Sequence, residues 1–214
     1  DLLVEIAIDP GNFVLLSRGL SALFGTLTIL LVYRLAKRLR DTQTGLAAAL
    51  LMSLCYLHVR ESHFGLLDVT MTFWIILAAE YILRSVRPDS ARTGLIAGIF
   101  SGIATSTKYA GLFLGFSMAG AWLTSRTATP RFPAIFVEAA RSPVLQRYTL
   151  GLIGAFLLFT PFALIDVQTF LADVLAESQH LRAGHAGLSD QVGLIYHLRY
   201  SLYYGVGLPV LILA

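Results

Sequence analysis

Runs of apolar residues long enough to cross a lipid bilayer, separated by short charged segments, limit most strongly what this chain can become. Hydropathy predicts helices over Phe13–Tyr33, Thr44–Leu57, Asp68–Leu83, Ala91–Thr107, Tyr109–Thr124, Tyr148–Ile165 and Leu194–Ala214. Inside a hydrocarbon core every backbone N–H and C=O has to be bonded within its own segment. The pattern therefore predicts an all-α polytopic bundle of about seven spans, a single transmembrane domain over residues 1–214. Composition agrees, since 56% hydrophobic and 14% charged residues, with mean hydropathy +0.71, leave too little charge to cover a soluble domain of this length. The net charge of +3 does not point to nucleic acid, because the basic residues sit in short loops beside apolar runs. Cys55 is the sole cysteine, lies within an apolar run and reads as a small packing residue. The chain opens on Asp1 and stops inside an apolar run, which reads as a fragment cut at both ends.

The stretch Gly94–Leu123 is too long for one straight span, about 45 Å against a core of about 30 Å. A turn at Thr105-Ser106-Thr107-Lys108 resolves this and brings Lys108 to an interface. The turn also sorts the loop charges. With it, eleven of the sixteen basic residues share one side, in loops 34–44, 84–93 and 125–147, and the positive-inside rule makes that side cytoplasmic. Segments 58–68 and 166–193 then lie outside, together with Lys108. Within the second, Val167–His180 reads as an amphipathic interfacial helix, with Phe170, Leu171, Val174 and Leu175 on one face and Thr169, Asp173 and Glu177 on the other.

The external segments gather acids and cations where charge is costly, which marks a candidate site. His58-Val59-Arg60-Glu61-Ser62-His63 leads to Asp68, and His180-Leu181-Arg182 leads to Gly184-His185. A lipid-linked sugar phosphate suits this chemistry. Cations hold the phosphate leaving group, while a carboxylate deprotonates the acceptor or binds a divalent cation bridging the phosphate.

Four stretches occur in an order found in a known group: Arg18-Gly19-Leu20-Ser21-Ala22-Leu23-Phe24-Gly25-Thr26, Arg60-Glu61-Ser62-His63 with Asp68, Gly102-Ile103-Ala104-Thr105-Ser106-Thr107-Lys108-Tyr109, and Thr160-Pro161-Phe162 leading to His180 and His185. In these the chain resembles the polyprenyl-phosphate-dependent glycosyltransferases of the GT-C fold, family 39, which includes bacterial relatives of the protein O-mannosyltransferases and the aminoarabinose transferases. The resemblance implies inverting transfer of a sugar from an undecaprenyl or dolichyl phosphate donor to a lipid, glycan or protein acceptor. It also implies a bacterial cytoplasmic membrane with the active face periplasmic or extracellular. Family members carry their principal acid in a first external loop that this sequence does not include, so the resemblance implies that the fragment alone is inactive. The expected roles are catalytic for Asp68 and Glu61, and substrate-binding for Arg60, His63, Lys108, Tyr109, His180, Arg182 and His185. The metal requirement stays open.

Each residue also has a plainer reading. Asp68 can cap the following helix, Arg60 and Lys108 can anchor helix ends by snorkelling, and the histidines can be interfacial hydrogen-bonding groups. Glu80, four residues before Arg84, reads as a local ion pair. Two other functions compete with the enzyme: a secondary transporter or lipid flippase, and a non-catalytic membrane scaffold. Transporters gather polar groups near the midplane within repeated halves, whereas here they gather at one interface and no repeat is visible.

Overall fold

The structure is a computed structural model that describes residues 10–86, 91–126, 132–183 and 202–207, with the backbone alone for residues 180–183. Among these the fold is all-helical: α1 (Gly11–Leu39), α2 (Thr42–Leu54), α3 (Tyr56–Ser62), α4 (Leu67–Arg84), α5 (Ala91–Thr107), a 3-10 turn (Tyr109–Phe113), α6 (Leu114–Thr124), α7 (Ala134–Arg141), α8 (Pro143–Phe159), α9 (Phe162–Ile165), α10 (Val167–Ala183) and α11 (Tyr203–Val206).

The helices are built for lipid. On α1 the small and polar residues Ser21, Gly25 and Thr28 face inward, while Leu16, Leu20, Leu23 and Leu30 are exposed. In water that arrangement would be inverted. In hydrocarbon it is favourable, because close packing rather than leucine burial holds helices together. The tightest contact is α5 against α8. Gly94, Gly98 and Gly102 recur at four-residue intervals on α5, and a methyl group on Gly98 would lie 2.0 Å from the Tyr148 carbonyl oxygen. An aromatic cluster joins α1, α4 and α5, with the Phe24 and Phe73 ring centroids 5.1 Å apart and those of Trp74 and Phe100 5.8 Å apart.

Helix length and composition among the described residues do not by themselves give seven separate crossings. Among the described residues α1 alone is long and apolar enough to span a membrane, and two more spans follow if α2 with α3, and α7 with α8, each count as one bent span. Helices α5 and α8 have 17 residues each, about 26 Å, and α4 includes Asp68, Glu80 and Arg84 in its 18. Apart from residues 202–207, the run Leu194–Ala214 lies outside the described residues.

Several boundaries move for physical reasons. The expected helix Thr44–Leu57 breaks at Cys55, where α2 and α3 meet at 62°, although residues 46–64 include no Pro or Gly. Tertiary contacts impose the bend. The His58 Nε2 lies 3.1 Å from the Gly25 carbonyl oxygen, and Ser62 fills the space where Gly25 lacks a side chain. Segment 58–68 is consequently half helix rather than loop, and segment 125–147 includes α7 and the start of α8. The break after Phe159 falls at Thr160-Pro161, so the expected helix Tyr148–Ile165 becomes α8 and α9.

The chain does reverse at Lys108. The residue is extended (φ −158°, ψ 134°), and Gly111 packs back onto α5, where a methyl group would lie 2.5 Å from the Ala104 carbonyl carbon. Farther along, the Met118 Sδ on α6 lies 3.5 Å from the Ser85 Oγ, just past the end of α4. Helix α6 therefore runs antiparallel to α5.

Glu80 is 3% exposed and pairs with Arg84, as the four-residue spacing predicts, and also with Arg34 of α1 at 3.6 Å. Removing this carboxylate would strand two guanidiniums that remain partly solvated. Glu80→Ala is therefore expected to destabilise the protein by about 1–3 kcal/mol, read as a lowered melting temperature in detergent.

Candidate functional site

The antiparallel packing of α4 on α5 brings Asp68, in the first turn of α4, to Lys108, just past the end of α5. The Lys108 ammonium donates to the Asp68 Oδ1 at 2.7 Å. Asp68 does not cap its helix: α4 starts at Leu67, one residue earlier than expected, and has no side-chain cap. Its carboxylate remains favourably placed at the positive end of the helix dipole. The pair is half exposed, 52% and 54%, so it contributes at most about 1 kcal/mol to stability and can exchange for another ion.

Cavities open on both sides of this pair. Asp68 borders one of about 230 Å³, together with Glu61, His58 and Thr72. Lys108 borders a polar one of about 350 Å³, lined also by Ser106, Thr160, Asp173 and Glu177. The end of α5 is tied to the end of α8 here, with the Ser106 and Thr160 hydroxyls 2.7 Å apart. Helix α10 supplies the remaining wall. Its first turn is capped by Asp166, whose carboxylate accepts from the Thr169 amide at 3.1 Å, and that bond holds the carboxyl below its usual range. Phe170 seats α10 on α8 by meeting Phe156 edge-on at 6.3 Å.

Two apolar cavities adjoin the polar one. The larger, about 830 Å³, runs along Leu112, Phe113 and Phe116 and is bordered by Lys108. The other, about 450 Å³, lies between α8 and α10, along Leu152, Phe156 and Val174. Tyr109 and Glu177 border all three. A cation thus stands where a polar chamber meets an apolar groove.

Of the residues expected from sequence, Asp68, Glu61, Lys108 and Tyr109 converge on this region. Arg60 borders none of these cavities; it pairs with Glu61 at 3.6 Å and lies 6.0 Å from the Phe64 ring centroid. His63 is satisfied locally: its Nδ1 lies 2.7 Å from the Val59 carbonyl oxygen, and its own carbonyl accepts from the Arg18 Nε at 2.8 Å. The side chains of His180 and Arg182, and all of His185, lie outside the described residues. Among those described, no three His, Cys, Asp or Glu side chains could hold a metal ion. Sequence reasoning gave no individual role to His58 and Thr160, though both lie in the stretches it picked out, and did not bring Asp173 and Glu177 to this region. The four-residue spacing of Asp173 and Glu177 was visible, but it also fits an ordinary solvated helix face.

A family model described as dolichyl-phosphate-mannose-protein mannosyltransferase matches residues 12–165. The chain belongs to that family. Dolichyl-phosphate-mannose-protein mannosyltransferase membership identifies it as a membrane glycosyltransferase of mannosyltransferase type, in keeping with the long apolar α1. The matched region takes in α1 through α9, hence the Asp68–Lys108 pair and Thr160, and stops just short of α10. No curated protein and no solved structure matches the chain.

Proposed function

We propose that the protein transfers a sugar from a polyprenyl phosphate donor to an acceptor on the external face of the membrane. The observation that carries this reading is the position of Lys108 between a polar chamber and an apolar groove. An amphiphile with an anionic joint would match all three parts. The donor phosphate displaces the Asp68 carboxylate from Lys108, and the isoprenoid lies along Leu112, Phe113 and Phe116. Asp68, once released, and Glu61 face the neighbouring cavity, where a carboxylate can take a proton from an acceptor hydroxyl. Tyr109, bordering chamber and groove alike, packs against the junction of head and tail. Arg60, paired with Glu61, steers anionic donor toward the site, and the sequence positions of His180, Arg182 and His185 in the second external segment make them further candidates for substrate contact. The shorter helices complete further crossings, about seven in all, in a bacterial cytoplasmic membrane.

Direct binding tests the reading: the full-length protein in detergent is expected to bind dolichyl phosphate and to lose most of that affinity on Lys108→Ala. The orientation has its own test. A reporter fused near Arg87 or Arg131 should report cytoplasm, and one near Gly184 the outside, because eleven basic residues share the first side. Finding Arg131 outside would reverse the assignment of the active face.

A further inference from the structure

The polar chamber beside Lys108 is richer in acceptors than in donors. The Thr105 and Thr107 hydroxyls donate to the Ser101 and Ile103 carbonyls at 2.8 and 2.9 Å, so toward the chamber their oxygens can only accept. Asp173 and Glu177 border the same chamber from successive turns of α10. Neither carboxylate has an ion-pair or hydrogen-bond partner among the described residues. Because the charge of Lys108 is taken up by Asp68, or by the donor phosphate that displaces it, these two acids leave the chamber negative. At about 350 Å³ it sits at the small end of ligand pockets, which run about 300–1,000 Å³. Glu177 also borders both apolar cavities, so whatever enters the chamber is joined to what fills the groove.

We propose that this chamber is the subsite for the donor's sugar, that Asp173 and Glu177 accept hydrogen bonds from a neutral or amine-bearing glycosyl group, and that their charge excludes acidic sugars such as uronates. The proposal rests on the lipid-phosphate reading above and adds to it a class of sugar. Hydroxyl and ammonium donors satisfy an acceptor-rich wall. A uronate carboxylate would face two like charges, while Lys108, the one cation among the cavity's lining residues, is engaged by the donor phosphate.

Competition binding to the full-length protein in detergent tests this with three probes: dolichyl phosphate, dolichyl phosphate mannose and dolichyl phosphate mannuronate. The unmodified protein is expected to prefer the mannose over the mannuronate probe by about tenfold, the scale of one partly screened like-charge contact. In the double variant Asp173→Asn, Glu177→Gln that preference should fall toward unity, while dolichyl phosphate binds at least as tightly as before because two like charges beside its phosphate are gone. Glu177→Lys should reverse it, a gain for the mannuronate probe that misfolded protein cannot produce. Both residues are exposed on α10, so none of these changes disturbs packing. An unchanged preference in both variants, with dolichyl phosphate still bound, overturns the sugar subsite and leaves the phosphate reading standing. If dolichyl phosphate does not bind the unmodified protein, both readings fall together.

Discussion

Gly98→Val is expected to abolish the folded protein. A side chain on Gly98 would meet the Tyr148 carbonyl oxygen at 2.0 Å and its carbon at 2.8 Å, and the neighbouring positions are also too close for a side chain. A methyl on Gly102 would lie 2.4 Å from the Leu152 oxygen, and one on Gly151, from the α8 side, 2.4 Å from the Leu95 oxygen. All of these are backbone atoms, so no rotamer change relieves the clash, and α5 and α8 would have to separate along their length. Lipid offers no hydrophobic force to draw them back together. We expect a loss above about 3 kcal/mol, a large share of the roughly 5–15 kcal/mol that stabilises a typical protein. Gly154→Ala on the same helix is the control. Nothing lies within 4 Å of its missing methyl, so that change should be neutral or stabilising by up to about 1 kcal/mol. Melting and aggregation in detergent distinguish the two, and equal stability of both variants would show that the α5–α8 contact is wrong.

The second large effect is on transfer. Lys108→Ala should cut sugar transfer by about 10- to 150-fold in the full-length protein, the loss of one charge-assisted phosphate contact worth about 1.5–3 kcal/mol. The protein should remain folded, because the half-exposed pair with Asp68 adds little to stability. Asp68→Asn is expected to behave differently. It frees Lys108, so KM for the donor should fall, yet it removes a carboxylate facing the acceptor cavity, so kcat should fall as well. Because Asp68 makes no cap bond, helix α4 starts normally in that variant. Steady-state kinetics on a polyprenyl phosphate sugar read this split. Full transfer in both variants would refute the phosphate site and favour a transporter or scaffold.

Some parts of this arrangement were legible in the sequence because they follow from local rules. Apolar periodicity and scarce charge gave an all-helical membrane protein. A segment too long for one span, with Lys108 at its centre, gave the reversal between α5 and α6. The run Val167–His180 gave a helix, α10, seen over Val167–Ala183, although Leu171 and Leu175 of its expected apolar face are exposed and Glu177 of its expected polar face borders the same cavity as Phe170 and Val174. Glu80 and Arg84, one turn apart, gave their own ion pair.

Other features depend on which surfaces meet. The bend at Cys55 has no Pro or Gly beside it and exists because His58 and Ser62 dock on Gly25 of a helix more than thirty residues away. Arg34 joined Glu80 by the same kind of long-range contact, and Arg60 is held by its near neighbours Glu61 and Phe64. The glycines at 94, 98 and 102 were there to be read as a close-packing stripe, but their partner, α8, could not be named from spacing alone. Sequence by itself determined the solvent this chain is built for and the residues that carry charge to its edge, since transfer free energies act residue by residue. Only the tertiary structure decided that Asp68 faces Lys108 across 40 positions, and that two acids of α10 close a chamber beside them. Those juxtapositions arise from backbone approach at glycines and from the packing angles of whole helices, quantities that no single stretch of sequence encodes.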